Sequence, residues 1–359
     1  MSPEETFSLA AQLLRDGQSL EAQVSPDALT AAVRCYEQAI AALRTLPLAD
    51  TRVRHELAVA AMNRGNACQR QNTPAARPEA LRSYDEAIAF FRTLPLDEHP
   101  DFRNSLGAAW MNRGHALYLQ AEPAAMTEAV RSQREAVSIL STLPLEAHRS
   151  YRINLAAAWM NQANALLALQ ENEPAADAAR ESGRIAAPAE AEDPVVADIG
   201  LKARRALCEA IGRLLAPTHG FVRNTEILAD EASDVVDDGL ALARRWQSRG
   251  VPHFRALAAR LFHFGAQLYR VHLPDFLAEF LLEHIDPEQS EGAMTDEAFY
   301  LIAQESLGLV RQDLEARRTV FLDTPETAQL LQRFRDVRAA EQRVAELRAR
   351  FAPSSATEA

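Results

Sequence analysis

Lysine is almost absent from this chain of 359 residues, in which Lys202 is the single lysine. A phosphate-binding P-loop needs a Gly-Lys-Ser/Thr tripeptide, and the sequence has none. An enzyme that forms a Schiff base would have to use Lys202, which stands in a helical context beside Arg204 and Arg205. The shortage of lysine therefore argues against both chemistries, and we identify no catalytic centre and no cofactor site in the sequence.

Cysteines are few, and long apolar runs are missing. The three cysteines, Cys35, Cys68 and Cys208, lie far apart and form no CxxC pair, which is typical of a reducing cytoplasm. No run of 18 apolar residues occurs, and the first residues lack a basic region followed by an apolar stretch. We therefore expect a soluble, cytoplasmic protein with no membrane partner and no signal peptide.

The sequence is acidic and rich in alanine. Its formal net charge of −12 repels the phosphates of nucleic acids, so we expect no nucleic-acid partner. Hydrophobic residues make up 48% of the chain, but aromatic residues only 6%. Alanine favours helices and lets them approach closely, and alternating runs of β-branched residues are missing. This balance predicts an all-α protein.

Two sequence blocks recur in the same phase through the first half of the chain. One block ends in Leu-Pro-Leu at residues 48, 96 and 145, at intervals of 48 and 49. The other block contains Met-Asn-Arg or Met-Asn-Gln and covers residues 56–67, 105–116 and 154–165. Small residues recur at one phase of this second block, where they predict close helix crossings: Gly65, Gly114 and Ala163. A shared period is typical of stacked helical hairpins that cannot bury their apolar faces alone.

These blocks resemble the tetratricopeptide repeat. The first helix of a hairpin carries an aromatic residue and, four positions on, Gly or Ala, as in Trp110 and Gly114. The second helix carries Ala, Tyr and Ala, as in Ala80, Tyr84 and Ala87, and a proline follows it. The family's usual period is about 34 residues, so the resemblance implies elongated hairpins here. It also implies that the hairpins are antiparallel and form a right-handed α-solenoid.

The pattern predicts a division of the chain into regions. We expect four elongated hairpins over residues 1–186, then a linker rich in Pro, Ala and Glu at 187–194. Residues 195–351 should be helical, either as diverged repeats or as a separate helical domain, and we favour diverged repeats. The tail at 352–359 should be disordered.

Three asparagines at one phase of the repeat form the main candidate site: Asn63, Asn112 and Asn161. In the resemblance to tetratricopeptide arrays, they match a concave position where asparagines hold the backbone of an extended peptide. An asparagine amide can donate to a carbonyl and accept from an N–H group. The predicted peptide- or partner-binding residues include polar and apolar neighbours, the methionines forming an adaptable apolar floor: Asn66, His115, Asn164, Met62, Met111 and Met160.

The asparagines also have a structural interpretation. They could form hydrogen bonds between neighbouring helices, or they could simply persist from recent duplication. The lysine-rich clamp with which some members of the family bind a terminal carboxylate is missing here, because the chain lacks those lysines. Both interpretations of the asparagines stay open at this point.

An acidic segment offers a remote enzymatic alternative. Asp234, Asp237 and Asp238 fall near one face of a predicted helix, where carboxylates could bind a divalent metal. Their order is loosely similar to the aspartate motifs of isoprenoid synthases, but no second metal motif accompanies them. We expect a solvated helix face with no metal.

Apolar residues recur every seven positions near the carboxyl end, at Leu330, Val337, Val344 and Phe351. This spacing predicts a helix that either forms a coiled-coil homodimer with a second copy or caps the array.

These patterns favour a protein–protein interaction scaffold or adaptor that binds an extended peptide or a partner protein. A regulatory protein that responds to a ligand or peptide is the alternative, and a helical metal-dependent enzyme is the remote one.

Overall fold

The computed structural model describes residues 1–216, 225–251, 254–272, 276–288, 294, 297–317 and 325–351. All regular structure in these residues is helical, with no strand among them, which confirms the all-α prediction. None of the described helices is long and apolar enough to cross a membrane. The chain divides into two compact units, residues 1–188 and 189–359.

The first unit is a series of helices in which each helix packs on its neighbours in the chain. They are α1 (Pro3–Glu21), α2 (Pro26–Leu43), α3 (Thr51–Gln71), α4 (Ala76–Phe91), α5 (Pro100–Tyr118), α6 (Pro123–Leu140), α7 (Arg149–Ala168) and α8 (Asn172–Ala186). Each odd-numbered helix also contacts the next odd-numbered helix, so α1, α3, α5 and α7 pack in sequence.

Local sequence signals set where these helices begin and end. Ser2 and Glu5 form a reciprocal capping box at the start of α1, and Asp50 caps α3 through the backbone N–H of Arg52. The Leu-Pro-Leu blocks follow α2, α4 and α6, because proline cannot continue a helix. The first leucine of each block is buried and anchors the turn: Leu46, Leu94 and Leu143.

Close crossings join the two helices of a hairpin at the predicted small residues. A β-carbon on Gly17 would meet the ring of Tyr36, and one on Gly65 would lie 2.7 Å from Cε1 of Tyr84. In the third hairpin, Gly114 lies against the side chain of Gln133 in the same way. Glycine is required at these positions because the buried side chain of the second helix fills the space.

A residue in the left-handed conformation follows α1, α3, α5 and α7: Val24, Asn72, Ala121 and Gln170, with φ between 50° and 62°. For a residue with a β-carbon, the left-handed conformation costs about 1–2 kcal/mol. Of these four residues only Asn72 is of a type that tolerates it well, because an asparagine side chain can hydrogen-bond locally. These tight reversals let each second helix return along the first.

We expect Ala121→Gly to raise the free energy of unfolding by about 0.5–1 kcal/mol, because glycine relieves the left-handed strain of the exposed Ala121. Urea unfolding followed by circular dichroism measures the change. The control is Ala89→Gly at an exposed helical position of α4, which should destabilise by about 1 kcal/mol. A loss of stability in both variants would contradict the strain argument.

The second unit contains the remaining helices of the described chain. They are α9 (Pro194–Leu214), α10 (Thr225–Gln247), α11 (Phe254–His272), α12 (Leu277–Ile285), α13 (Glu297–Arg317) and α14 (Pro325–Phe351). Neighbours in the chain again pack together, and α11 contacts both α9 and α13. Their apolar faces form a continuous core rich in phenylalanine, including Phe254, Phe262, Phe280 and Phe299.

The segment between the units, expected as a linker at 187–194, is partly packed into the second unit. Glu190 is buried, and its carboxylate accepts a hydrogen bond from Arg204 at 2.8 Å. The indole N–H of Trp246 donates to the backbone carbonyl of Glu190 at 2.8 Å. Pro194 already belongs to α9. Residues 190–194 of the expected linker therefore pack as part of the second unit.

The apolar face of α14 is buried within the second unit. Val337, Ala340, Val344 and Leu347 all belong to its core, where α14 packs on α12 and α13. The sequence left open a coiled-coil homodimer or a capping helix, and the buried face leaves no apolar seam at these positions for a second copy. The side chains of Leu330 and Phe351, and the tail at 352–359, lie outside the described residues.

Candidate functional site

One face of α3, α5 and α7 carries half-exposed residues in the same pattern on each helix. The spacing of three, four and three residues places them in a row along one side of each helix. We call this surface the polar strip: Glu56, Val59, Asn63 and Asn66 on α3; Ser105, Ala108, Asn112 and His115 on α5; Asn154, Ala157, Asn161 and Asn164 on α7. Glu56 and His115 are its only ionisable side chains, so the strip is dominated by neutral amides.

A hydrogen-bond network connects the strip between α3 and α5. The side-chain N–H of Asn112 donates to Oδ1 of Asn66 at 3.0 Å. The same oxygen accepts from the hydroxyl of Tyr84 at 2.9 Å, and this hydroxyl also lies 3.0 Å from Oε1 of Gln69. Burial raises the pKa of Tyr84 well above its ordinary value, so the hydroxyl stays a donor. Asn66 and Asn112 thus have a structural role as well as a place in the strip.

A second bond connects the strip between α5 and α7. The side-chain N–H of Asn154 donates to Oδ1 of Asn104 at 2.9 Å. Together with the bond from Asn112 to Asn66, it shows that part of the asparagine series joins neighbouring helices. Hydrogen bonding between helices, which the sequence left open as one interpretation, is therefore observed for these residues.

Other asparagines of the strip keep hydrogen-bonding capacity. The amide nitrogen of Asn63 is buried and has no hydrogen-bond partner among the described residues. Asn161, at the same phase on α7, is half-exposed. A buried amide donor without a partner costs free energy, commonly about 1–3 kcal/mol. A ligand carbonyl that reached Asn63 after a rotation of its amide would remove that cost.

The three methionines that follow the repeat are all half-buried. Met62 is half-buried and packs against the apolar core of the first unit. Met111 and Met160 are also half-buried, and the backbone carbonyl of Met111 accepts a hydrogen bond from the buried Gln133. The apolar character of the strip comes partly from Val59, Ala108 and Ala157, which sequence reasoning did not single out.

Arginines next to the asparagines position the strip, and the sequence analysis missed them. Nε of Arg64 donates to Oγ of Ser83 at 2.8 Å, and Nη1 of Arg113 donates to Oγ of Ser132 at 2.7 Å. Each bond joins the two helices of its own hairpin, α3 with α4 and α5 with α6. Arg113 also pairs with Asp85 of the preceding hairpin at 2.7 Å. The signal was present in the sequence, because arginine and serine recur in the same phase.

The aspartates considered for metal binding do not form a ligand set. Asp234 and Asp238 are exposed on α10, while Oδ1 of Asp237 lies 3.1 Å from Nε2 of the buried His284. Throughout the described part of the chain, no group of three His, Cys, Asp or Glu residues is placed to hold a metal ion.

The thiols are unsuited to nucleophilic chemistry at neutral pH. All three cysteines are free, and both Cys68 and Cys208 are buried. Burial raises the pKa of the Cys68 thiol to about 11 and that of Cys208 to about 12. Because the thiolate is the reactive form, these side chains act as small apolar groups in the core.

Comparison with protein families and with curated proteins found no relative of this chain. No protein-family model matches the chain, and no curated protein matches it significantly.

Proposed function

We propose that the first unit is an array of tetratricopeptide-like hairpins, with the right-handed solenoid arrangement that this resemblance implies, and that it binds an extended segment of another protein along the polar strip. The resemblance of the two repeated blocks supports this proposal. So does the sequential packing of α1, α3, α5 and α7, which brings the helices of the polar strip into contact with one another.

The observation that carries the proposal is the repetition of uncharged amides on one half-exposed face of three alternate helices, α3, α5 and α7. Neighbouring packed helices lie about 8–10 Å apart. An extended chain advances about 3.3 Å per residue, so it would meet an equivalent position on the next helix every three residues. Amides offer both donors and acceptors, which suits the N–H and C=O groups of a peptide backbone.

The helix contacts of the second unit support the interpretation that its helices are diverged copies of the same repeat. α9, α11 and α13 contact one another in sequence, as the odd-numbered helices of the first unit do. Gly265 of α11 lies against the ring of Phe280 on α12, a crossing of the same kind as that of Gly65 with Tyr84. We propose that α9–α14 are diverged repeats, with α14 as the helix that covers the last apolar face.

The double variant Asn63→Ala/Asn161→Ala tests the function. We expect it to weaken the binding of a peptide segment about tenfold or more, because each amide contributes about 0.5–1.5 kcal/mol through hydrogen bonds. Ligands are selected from a displayed library of 12-residue peptides, and affinity is measured by fluorescence anisotropy. These two positions are chosen because Asn66 and Asn112 also hold neighbouring helices together.

The matched control is Arg134→Ala/Ser138→Ala, at two exposed positions of α6 outside the strip. It should leave affinity unchanged, and circular dichroism should show that both variants remain folded. Because the strip is nearly uncharged, affinity should change less than threefold between low and high salt, unlike that of a charged site. If the selected peptides bind Asn63→Ala/Asn161→Ala as tightly as they bind the control variant, the proposed function is wrong.

A further inference from the structure

A groove runs between α9 and α11 within the second unit. It consists of two adjoining cavities of about 480 Å³ and about 360 Å³, which share Gly212, Ala216, Phe264 and Gln267 in their linings. Small-molecule sites commonly measure about 300–1,000 Å³. Along α11 the groove extends from Arg260 to His272, about 18 Å at the helical rise per residue.

The charge of the groove is opposite to that of the chain as a whole. The larger cavity is lined by Arg205, Arg213 and Arg260, and the smaller one by Arg270. Glu209 is the sole carboxylate among the described residues of the lining, and it pairs with both Arg205 and Arg213 at 3.0 Å and 2.6 Å. Four arginines against one glutamate make a local positive site in a protein of net charge −12.

Two further charged side chains act on Cys208, which lines the larger cavity. Arg204 faces Cys208 but forms its ion pair with Glu190. Glu231 of α10 also raises the pKa of the Cys208 thiol. Arg260 is exposed on the groove wall, where its guanidinium is accessible to a bound acidic group.

The floor of the groove is apolar. Phe264 lies directly against Gly212, where a β-carbon would come 2.9 Å from its Cε2 atom. Leu215, Leu268 and Val271 line the smaller cavity, and Val271 is 60% exposed. A ligand with an apolar body would bury surface here that now faces water.

We propose that this groove binds a small amphiphilic anion, with its acidic group at Arg260 in the larger cavity and its apolar body along Phe264 towards Leu215 and Val271. A carboxylate and a phosphate ester share the chemistry that an arginine recognises. The proposal concerns the second unit alone and is independent of peptide binding by the first.

Calorimetry on the full chain tests the proposal with three probes that have the same alkyl chain. Octanoate or octyl phosphate, or both, should bind with a stoichiometry of one, and their relative affinity tells a carboxylate ligand from a phosphate ligand. Octylammonium should bind at least tenfold more weakly than the better anion, because it carries the opposite charge. Equal binding of the cation and the anions would overturn the proposal. Inorganic phosphate that binds as tightly as octyl phosphate would do so too, because the apolar floor would then play no part.

Two variants locate the site. Arg260→Gln should weaken the better anion about tenfold, the effect of losing one charge-assisted hydrogen bond, and Gln267→Trp should block the middle of the groove. Both positions are exposed, so the fold is expected to survive. Arg255→Gln, on the same helix and outside the groove lining, is the control and should bind like the parent. The proposal is rejected if neither groove variant loses affinity, or if an acidic peptide displaces octanoate and binds more tightly than either alkyl anion.

Discussion

Replacing Gly200 by alanine is expected to destabilise the second unit by about 3 kcal/mol, the usual cost of removing one partner of a buried ion pair. A β-carbon on Gly200 would overlap the carboxylate of Glu190, whose side chain is 7% exposed. The displaced glutamate would leave the guanidinium of Arg204, 17% exposed, without its partner at 2.8 Å. Urea unfolding of the full chain measures the loss, and hydrogen exchange assigns it to α9 and α10.

A double-mutant cycle separates this clash from an unrelated effect of alanine in α9. In a Glu190→Ala background the obstructing carboxylate is gone, so adding Gly200→Ala should cost nothing and could stabilise by up to about 1 kcal/mol through helix propensity. If Gly200→Ala costs the same in both backgrounds, Glu190 is not the cause.

Replacing Gly65 by alanine is expected to destabilise the first unit by up to about 2 kcal/mol. Overpacking of a core costs about 1–3 kcal/mol, and the better helix propensity of alanine recovers only about 1 kcal/mol. The new methyl group would lie 2.7 Å from Cε1 of Tyr84, which is buried and cannot move freely. Because the Tyr84 hydroxyl donates to Asn66, a shifted ring should also disturb the polar strip.

The matched control for Gly65 is Gly183→Ala in α8. Nothing lies within 4 Å of a β-carbon at Gly183, so this change should stabilise the protein by about 1 kcal/mol. Both variants are measured by urea unfolding under the same conditions. Similar effects at the two glycines would show that the crossing at Tyr84 is looser than its geometry indicates.

Residue types alone predicted much of the first unit. The phase of Gly65 and Gly114 marked the close crossings, since only a small residue admits the neighbouring helix there. The Leu-Pro-Leu blocks marked where α2, α4 and α6 end. Both signals are local, and each recurs in several hairpins, so tertiary context had little opportunity to override them.

The candidate site was only partly predictable. The sequence placed Asn63, Asn112 and Asn161 at one phase, but a phase does not tell which amides are already bonded. The bond from Asn112 to Asn66 joins residues 46 positions apart and depends on how α3 and α5 rotate against each other. That rotation depends on how both helices pack on α4, to which Arg64 of α3 is bonded through Ser83 and Arg113 of α5 through Asp85.

The tertiary contacts of the second unit were even less predictable from the sequence than those of the candidate site. The heptad spacing of Val337 and Val344 fitted both a dimer seam and a capping helix, because either partner would bury the same residues. The groove with Arg260 and Phe264 joins two helices that are distant in the sequence. Neither the direction of the apolar face nor the groove follows from the spacing of residues along one helix.

By itself, the sequence determined that this protein is helical, where α2, α4 and α6 end, and which residues share a face. Those properties depend on helix propensity, capping and a period of 48 or 49 residues, all of which are local or repeated. Only the tertiary structure decided which amides bind each other, that Glu190 packs beneath Gly200, and that arginines gather between α9 and α11. These depend on distances between helices far apart in the chain, which the packing of complete side chains sets.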